Sequence, residues 1–160
     1  MVRIINYTSK YDEDVKDLLL ELTKYISSID EDGFNVVGKD CREKYFKHTM
    51  KDVRNNEGKI YLAQDGNKIV GLIIGLINND EIDTYDFCAP KRGRVVEFIV
   101  TKDCRAQGIG KKLLNRMEEY FKSVGCKGIL IGVFSYNNKA KEFYKKNGFH
   151  NRTEDIYKEL

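Results

Sequence analysis

Apolar residues recur along this 160-residue chain with two alternating periods, and that alternation outlines the elements. Met1-Val2-Arg3-Ile4-Ile5-Asn6-Tyr7 reads as a strand. Val15, Leu18, Leu19, Leu22, Ile26 and Ile29 then return at helical spacing, which predicts an amphipathic helix over 11–29. Asp12, Glu13 and Asp14 suit its positive first turn, and Asp32-Gly33 breaks it. Cys41, Tyr45, Phe46, Met50 and Val53 mark a second helix over 39–55, closed by Asn55-Asn56-Glu57-Gly58. Ile60–Ala63 and Ile69–Ile77 read as strands joined by Asp65-Gly66-Asn67-Lys68, a strong hairpin signal because these turn residues tolerate positive φ. Gly71 and Gly75 inside the second of them predict a bulge or the close approach of another backbone. An acidic connection over 78–86 leads to a strand at 93–101, a helix at 108–124, a strand at 128–133 and a helix at 138–147. A terminal strand including Ile156 and Tyr157 completes the order βααβββαβαβ.

Composition places this pattern in one ordinary globular domain, 1–160, with 41% hydrophobic and 33% charged residues. No apolar run approaches the ~20 residues needed to cross a bilayer. The first strand lacks the long apolar stretch and small-residue cleavage site of a signal peptide, so a cytoplasmic protein is expected. A net charge of +3 falls far short of a nucleic-acid-binding domain. Cys41, Cys88, Cys104 and Cys126 are scattered, no Cys-x-x-Cys occurs, and the histidines are His48 and His150 alone. No metal site is expected, and the cysteines read as reduced thiols. Cys104 alone stands out, because it lies directly before the glycine-bearing turn at 105–110.

The stretch that carries chemistry is Arg105-Ala106-Gln107-Gly108-Ile109-Gly110. It joins the strand Val95-Val96-Glu97-Phe98-Ile99-Val100 to a helix whose Ile109, Leu113, Leu114, Met117, Phe121 and Val124 share one face, with Gly125 as the stop. A helix start with glycines at 108 and 110 exposes backbone N–H groups at the positive end of the helix dipole, which is a ready anion site. A phosphate-bearing ligand is expected there. A P-loop would need glycine where Arg105 stands and Ser or Thr where Lys112 stands. A dinucleotide fingerprint would need a third glycine or alanine at Leu113, and would open the chain. The segment instead resembles the pyrophosphate-binding motif of the GNAT superfamily of N-acetyltransferases, Arg/Gln-x-x-Gly-x-Gly/Ala, through Arg105, Gly108 and Gly110. A second match lies downstream, where Asn137, Ala140, Tyr144, Gly148 and Phe149 resemble that family's Asn-x-x-Ala-x-x-x-Tyr-x-x-x-Gly-Phe signature.

The resemblance implies a mixed α/β fold, with a central, mostly antiparallel sheet flanked by helices, and acetyl-CoA as cosubstrate. It implies that the backbone of Phe98, Ile99 and Val100 runs beside the pantetheine like an added strand. The pyrophosphate would then meet Arg105, Ala106 and the N–H groups of Gln107, Gly108, Ile109, Gly110, Lys111 and Lys112. The alternative, that Gly108 is a simple tight-turn residue, is disfavoured by its place immediately after a strand and before a helix. Basic side chains gather around both motifs, Arg105, Lys111, Lys112 and Arg116 on one and Lys139, Lys141, Lys145 and Lys146 on the other. They are either solvated helix faces or a local attraction for phosphate charge.

Acetyl transfer to an amine needs a held donor, a deprotonated amine, a donor to the developing oxyanion and a proton for the leaving thiolate. Tyr144 matches the family tyrosine near the acetyl-CoA sulfur, a general acid whose phenol carries its proton at neutral pH. The alternative is that it only packs its helix on the sheet. Asn137 matches a position that contacts pantetheine or caps that helix. Glu97 is the acidic residue in an otherwise apolar strand segment and the candidate general base, raised in pKa by low-dielectric walls. Whether it faces the cleft depends on a bulge that sequence does not locate. Asp80, Glu81, Asp83 and Asp86 either draw a cationic amine toward the cleft or form an exposed loop.

The expected function is N-acetylation of a primary amine of a small molecule by direct transfer. Acetylation of a protein or peptide, and a non-catalytic CoA-binding module, are the alternatives. No Gly-x-Ser-x-Gly elbow or His-Glu-x-x-His helix occurs. A homodimer, common among small relatives, is compatible with the chain, but no sequence feature requires it.

Overall fold

A computed structural model describes residues 1–78, 83–84 and 87–159. The strands are β1 (Arg3–Asn6), β2 (Lys59–Asp65), β3 (Lys68–Asn78), β4 (Asp83–Thr84), β5 (Phe87–Cys88), β6 (Arg92–Val100) and β7 (Gly128–Ile131). The helices are α1 (Asp12–Ile29), α2 (Cys41–Asn55), α3 (Ile109–Ser123) and α4 (Asn138–Lys146), with single 3-10 turns at Ser9–Tyr11 and Lys102–Cys104. The main sheet has the order β1-β2-β3-β6-β7. Its first three pairings are antiparallel and β6–β7 is parallel, so the mixed, mostly antiparallel sheet is the observed one. Parallel β6 and β7 need a crossover between them, and α3 supplies it.

The period-two strands present two faces, and each face has its own apolar layer. Leu72, Ile74 and Ile99 bury with Ile60 and Leu62 against Val15, Leu18, Leu19 and Leu22 of α1, and α2 leans on this layer through Tyr45, Phe46, Met50 and Val53. On the other face Ile73, Ile77 and Val95 bury against Leu113, Leu114, Met117 and Phe121 of α3, with Phe98, Phe143 and Phe149 at the margin. The β2–β3 turn falls at Gly66-Asn67, and Gly66 has φ +57.

Gly71 and Gly75 do mark close approach, though by side chains of α3 as well as backbone. A Cβ on Gly75 would lie 2.5 Å from Met117 Sδ and from Phe121 Cζ, and one on Gly71 would lie 3.1 Å from Ile99 O and from Leu113 Cδ1. A bulge is also present beside Gly75. Ile74 pairs with Glu97 but Gly75 pairs with Val95, which leaves Val96 as the extra residue.

The C-terminal end differs from expectation. Residues 150–159 join no helix or strand, Ile156 is 99% exposed, and Tyr157 sets its ring edge-on to Phe34 at 5.2 Å. Two apolar side chains among charged and polar neighbours provide no continuous face to bury against a sheet. The strand expected at 128–133 is likewise shorter and stops at Ile131.

Candidate active site

The site grows from the bulge at Val96. Up to Val95, β6 pairs on one side with β3 and on the other with β7, whose last partner is Val95↔Ile131. Beyond Val95 the β3 pairing continues through Val100, and Thr101 N–H still donates to Val70 O at 2.9 Å, but β7 has left. Glu97 through Val100 therefore present one open strand edge. Unpaired peptide groups on such an edge are a template for an extended partner.

The bulge also decides where Glu97 points. Strict alternation would put Val95 and Glu97 on one face. With Val96 inserted, Val95 joins the α3-side core while Glu97, opposite Ile74, turns to the α1/α2 side. Val96 is 37% exposed and Glu97 only 9%. There Tyr45 of α2 donates its hydroxyl to Glu97 Oε1 at 2.6 Å. Burial raises the Glu97 carboxyl from 4.5 to about 7, against the lowering effect of that hydrogen bond. Burial, followed by the facing Glu97 charge, pushes the Tyr45 phenol far above its ordinary range, so it stays a donor. By its spacing Tyr45 is one more position of the apolar stripe on its helix. The contact spans 52 residues, and no local pattern could have announced it.

The open edge runs toward the N-terminus of α3. Gly108, just before the helix, has φ +76 and a Cβ there would meet nothing within 4 Å. Its conformation alone favours glycine, and the space beside it is open. Lys112 N–H bonds Gly108 O at 3.2 Å, the N–H groups of the helix's first turn have no intrahelical acceptor, and residues 105–108 before it are exposed. A Cβ on Gly110 would make ordinary contacts with Phe143 and Phe98, near 3.5 and 3.6 Å. Arg105 lies back along the edge, its Nε 2.9 Å from Val100 O and its guanidinium 5.2 Å above the Tyr25 ring. Gln107 donates to Asp103 O at 3.3 Å. Lys111 and Lys112 are exposed, whereas Arg116 is held by Glu119 at 2.8 Å as a surface pair. Cys104 is a free thiol turned toward the α3-side core.

On the α3 side of the same edge stands Tyr144. Its ring centroid is 6.4 Å from that of Phe98 and 5.6 Å from those of Phe143 and Phe149. Burial pushes its phenol up to about 12. The hydroxyl makes no hydrogen bond among the described residues, so the packing does not consume its proton. Asn137 does cap α4, its Oδ1 accepting from Ala140 N–H at 3.2 Å and from the Tyr25 hydroxyl at 3.2 Å. Sequence reasoning did not find Tyr25 either. Glu97 and Tyr144 thus stand on opposite faces of the sheet at the unpaired stretch of β6, joined by the Glu97-Phe98 step. Of the acidic connection, Asp80, Glu81 and Asp86 lie outside the described residues, as does the side chain of Asp83. Among the described residues no group of three His, Cys, Asp or Glu side chains could hold a metal ion, and no helix is long and apolar enough to cross a membrane.

A model described as "Acetyltransferase (GNAT) family" matches residues 23–149. The chain belongs to that family. Both motifs and the open β6 edge fall inside the matched span, and members of this family use acetyl-CoA. An uncharacterised N-acetyltransferase of Methanocaldococcus jannaschii is 29% identical over 93 residues, 58% of this chain and 53% of its own length. The chain spans about half the length of the two Methanocaldococcus relatives it matches, 53% and 45%. N-alpha-acetyltransferase 30 of Schizosaccharomyces pombe is 24% identical over 154 residues, covering 93% of this chain and 84% of the relative. Among solved structures, AAC(6')-Iy in complex with the bisubstrate analogue CoA-S-monomethyl-acetylneamine aligns over 100% of this chain and 98% of its own. Its TM-score of 0.73 at 12% identity is a likeness of fold.

Proposed function

We propose that residues 1–160 form one acetyl-CoA-dependent N-acetyltransferase domain that acetylates a primary amine of a small molecule by direct transfer, in the cytoplasm. The observation that carries this reading is the open edge of β6 past Val95, which leads to an exposed helix N-terminus with Glu97 on one side and Tyr144 on the other. Phe98, Ile99 and Val100 offer peptide groups for an extended pantetheine. Ala106, Gln107, Gly108, Ile109, Gly110 and Lys111 offer N–H groups, and Arg105, Lys111 and Lys112 positive charge, for the pyrophosphate, while the Lys112 and Arg105 N–H groups are taken by Gly108 O and Lys102 O. Arg105 must leave Val100 O for that carbonyl to become available.

Bound acetyl-CoA supplies an acetyl thioester. Glu97 takes a proton from the incoming amine, directly or through water, as the amine nitrogen forms its bond to the acetyl carbon. The C–S bond breaks, and Tyr144 gives its proton to the departing sulfur. The amine's proton thus ends on Glu97 and the tyrosine's on CoA, and exchange with solvent resets both. A phenol near 12 is a weaker acid than a free one. The same apolar surroundings also disfavour the thiolate it neutralises, so the two penalties offset. Asn137, occupied as a cap, contributes by fixing the start of α4 and hence the position of Tyr144.

A peptide or protein acceptor is the second reading, favoured by the Schizosaccharomyces pombe relative, which pairs with nearly all of the chain. CoA release assayed with acetyl-CoA against polyamines, aminoglycosides, arylalkylamines, amino acids and N-terminal peptides tests both. Turnover confined to peptides overturns the small-molecule reading. CoA binding without turnover on any amine leaves a binding module.

A further inference from the structure

Tyr45 belongs to neither recognised motif, yet its hydroxyl makes the hydrogen bond that ties α2 to the candidate base. We propose that Tyr45 is a positioning residue, which anchors one oxygen of Glu97 and leaves the other as the acceptor of the amine's proton. The proposal rests on the reading of Glu97 as the base.

Geometry limits what else can hold the carboxylate. Glu97 Oε1 receives the Tyr45 hydroxyl at 2.6 Å, and no other hydrogen-bond partner of the Glu97 carboxylate occurs among the described residues. The layer around it is aliphatic, with Ile74 opposite on β3, Ile99 next along β6, and Leu18 and Leu22 from α1. Among the described residues the titratable groups that bear on this pair are Tyr45 itself and Cys41, one turn before it on α2. On β6 itself Arg94 shares this face, beyond the bulge and exposed to solvent. A glutamate side chain with three rotatable bonds would otherwise be free to choose among several rotamers at this place. The tyrosine is a suitable anchor because its own proton is held well above the usual phenol range. It can orient the carboxylate without competing for the substrate's proton. It also stabilises the ionised form, opposing the burial that otherwise keeps the carboxyl neutral.

The test is Tyr45→Phe, which removes one oxygen and keeps the ring. The Glu97 carboxyl is followed by NMR of its side-chain carbon, assigned as the resonance absent from Glu97→Gln. The pH profile of kcat/KM is measured alongside, with calorimetric CoA binding and thermal unfolding as checks on the fold. The carboxyl titration is expected to move up by about one pH unit, the size of a lost hydrogen bond to a charged group. The acidic limb of kcat/KM should move with it, while CoA affinity stays unchanged. Replacing Tyr45 by a fluorinated tyrosine, a stronger donor of the same shape, should move both in the opposite direction. An unmoved carboxyl titration in the folded Tyr45→Phe protein overturns the proposal. If the titration moves but the kinetic limb stays, Glu97 is not the base, and the reading beneath the proposal fails instead. Should Tyr45→Phe not fold, the fluorinated protein decides alone, and an unshifted carboxyl in it has the same overturning force.

Discussion

The burial of Glu97 makes a prediction that needs no knowledge of the substrate. A carboxyl raised from 4.5 to about 7 on folding binds its proton more tightly in the native state than in the unfolded chain. Between these values the native protein holds more protons, so stability falls as pH rises. The contribution is fully present below the unfolded value and is lost as pH climbs through the folded one. At about 1.4 kcal/mol per pH unit, the difference comes to roughly 3 kcal/mol, and Glu97 is buried enough for solvent to screen little of it. Glu97→Gln removes the titration while its amide oxygen still accepts from Tyr45. Denaturant unfolding of both proteins should agree near about pH 4 and diverge until Glu97→Gln is more stable by roughly 3 kcal/mol at about pH 8. Stability curves that stay parallel across this range would refute the burial of an ionisable carboxyl at this place. Catalysis should run the other way. The wild-type kcat/KM limb bends near the carboxyl's titration at about 7, whereas the variant's keeps rising toward the amine's own pKa. The deficit of Glu97→Gln, about 10²–10⁴-fold, is largest up to neutral pH and shrinks above it. A variant more stable than its parent and yet slower would separate a built-in functional strain from a packing residue. Equal kcat with parallel profiles would pass the base's role to another group.

Other expectations follow from single positions. Tyr144→Phe keeps the contacts with Phe98, Phe143 and Phe149 but deletes the proton, so kcat should fall ~10–1000-fold with acetyl-CoA affinity unchanged by calorimetry; full turnover would make Tyr144 a packing residue. Gly108→Val forces a branched residue to φ +76 beside open space, at a cost of about 1–2 kcal/mol in unfolding, and should abolish CoA binding in the folded protein. Gly110→Ala meets only ordinary contacts and should bind CoA like wild type, and a large loss there would contradict the geometry of this turn. Gly75→Ala drives a Cβ onto Met117 and Phe121 and should lower stability by about 1–3 kcal/mol in denaturant unfolding.

What could be read from the sequence was what short-range chemistry dictates. The Gly66-Asn67 turn, the α3 face from Ile109 to Phe121 and the glycine before it, and the cap at Asn137 each follow from residues within a few positions of one another. Contacts made across the fold were not legible. Tyr45 looked apolar because its place on α2 is apolar, and only the approach of β6 turns its hydroxyl toward a carboxylate. Tyr25 joins Asn137 from 112 residues away for the same reason. The expected strand around Ile156 and Tyr157 failed in the reverse sense, since β propensity without a sheet partner or a face to bury holds nothing in place.

The bulge at Val96 shows why strand alternation was insufficient at the one place where it mattered. Counting by twos from Val95 puts Glu97 into the α3-side core, where a carboxylate among Met117 and Phe121 would find no partner. One inserted residue turns it to the other face, where Tyr45 waits. It does so one step beyond the last β6–β7 pair, at the point where the parallel strand departs and the edge from Glu97 to Val100 becomes open. The side chain that would deprotonate the acceptor and the backbone that would hold the donor therefore meet on the same short stretch of β6. A strand with perfect alternation would leave the carboxyl facing the wrong helix layer, however well the glycine turn at 108 were formed.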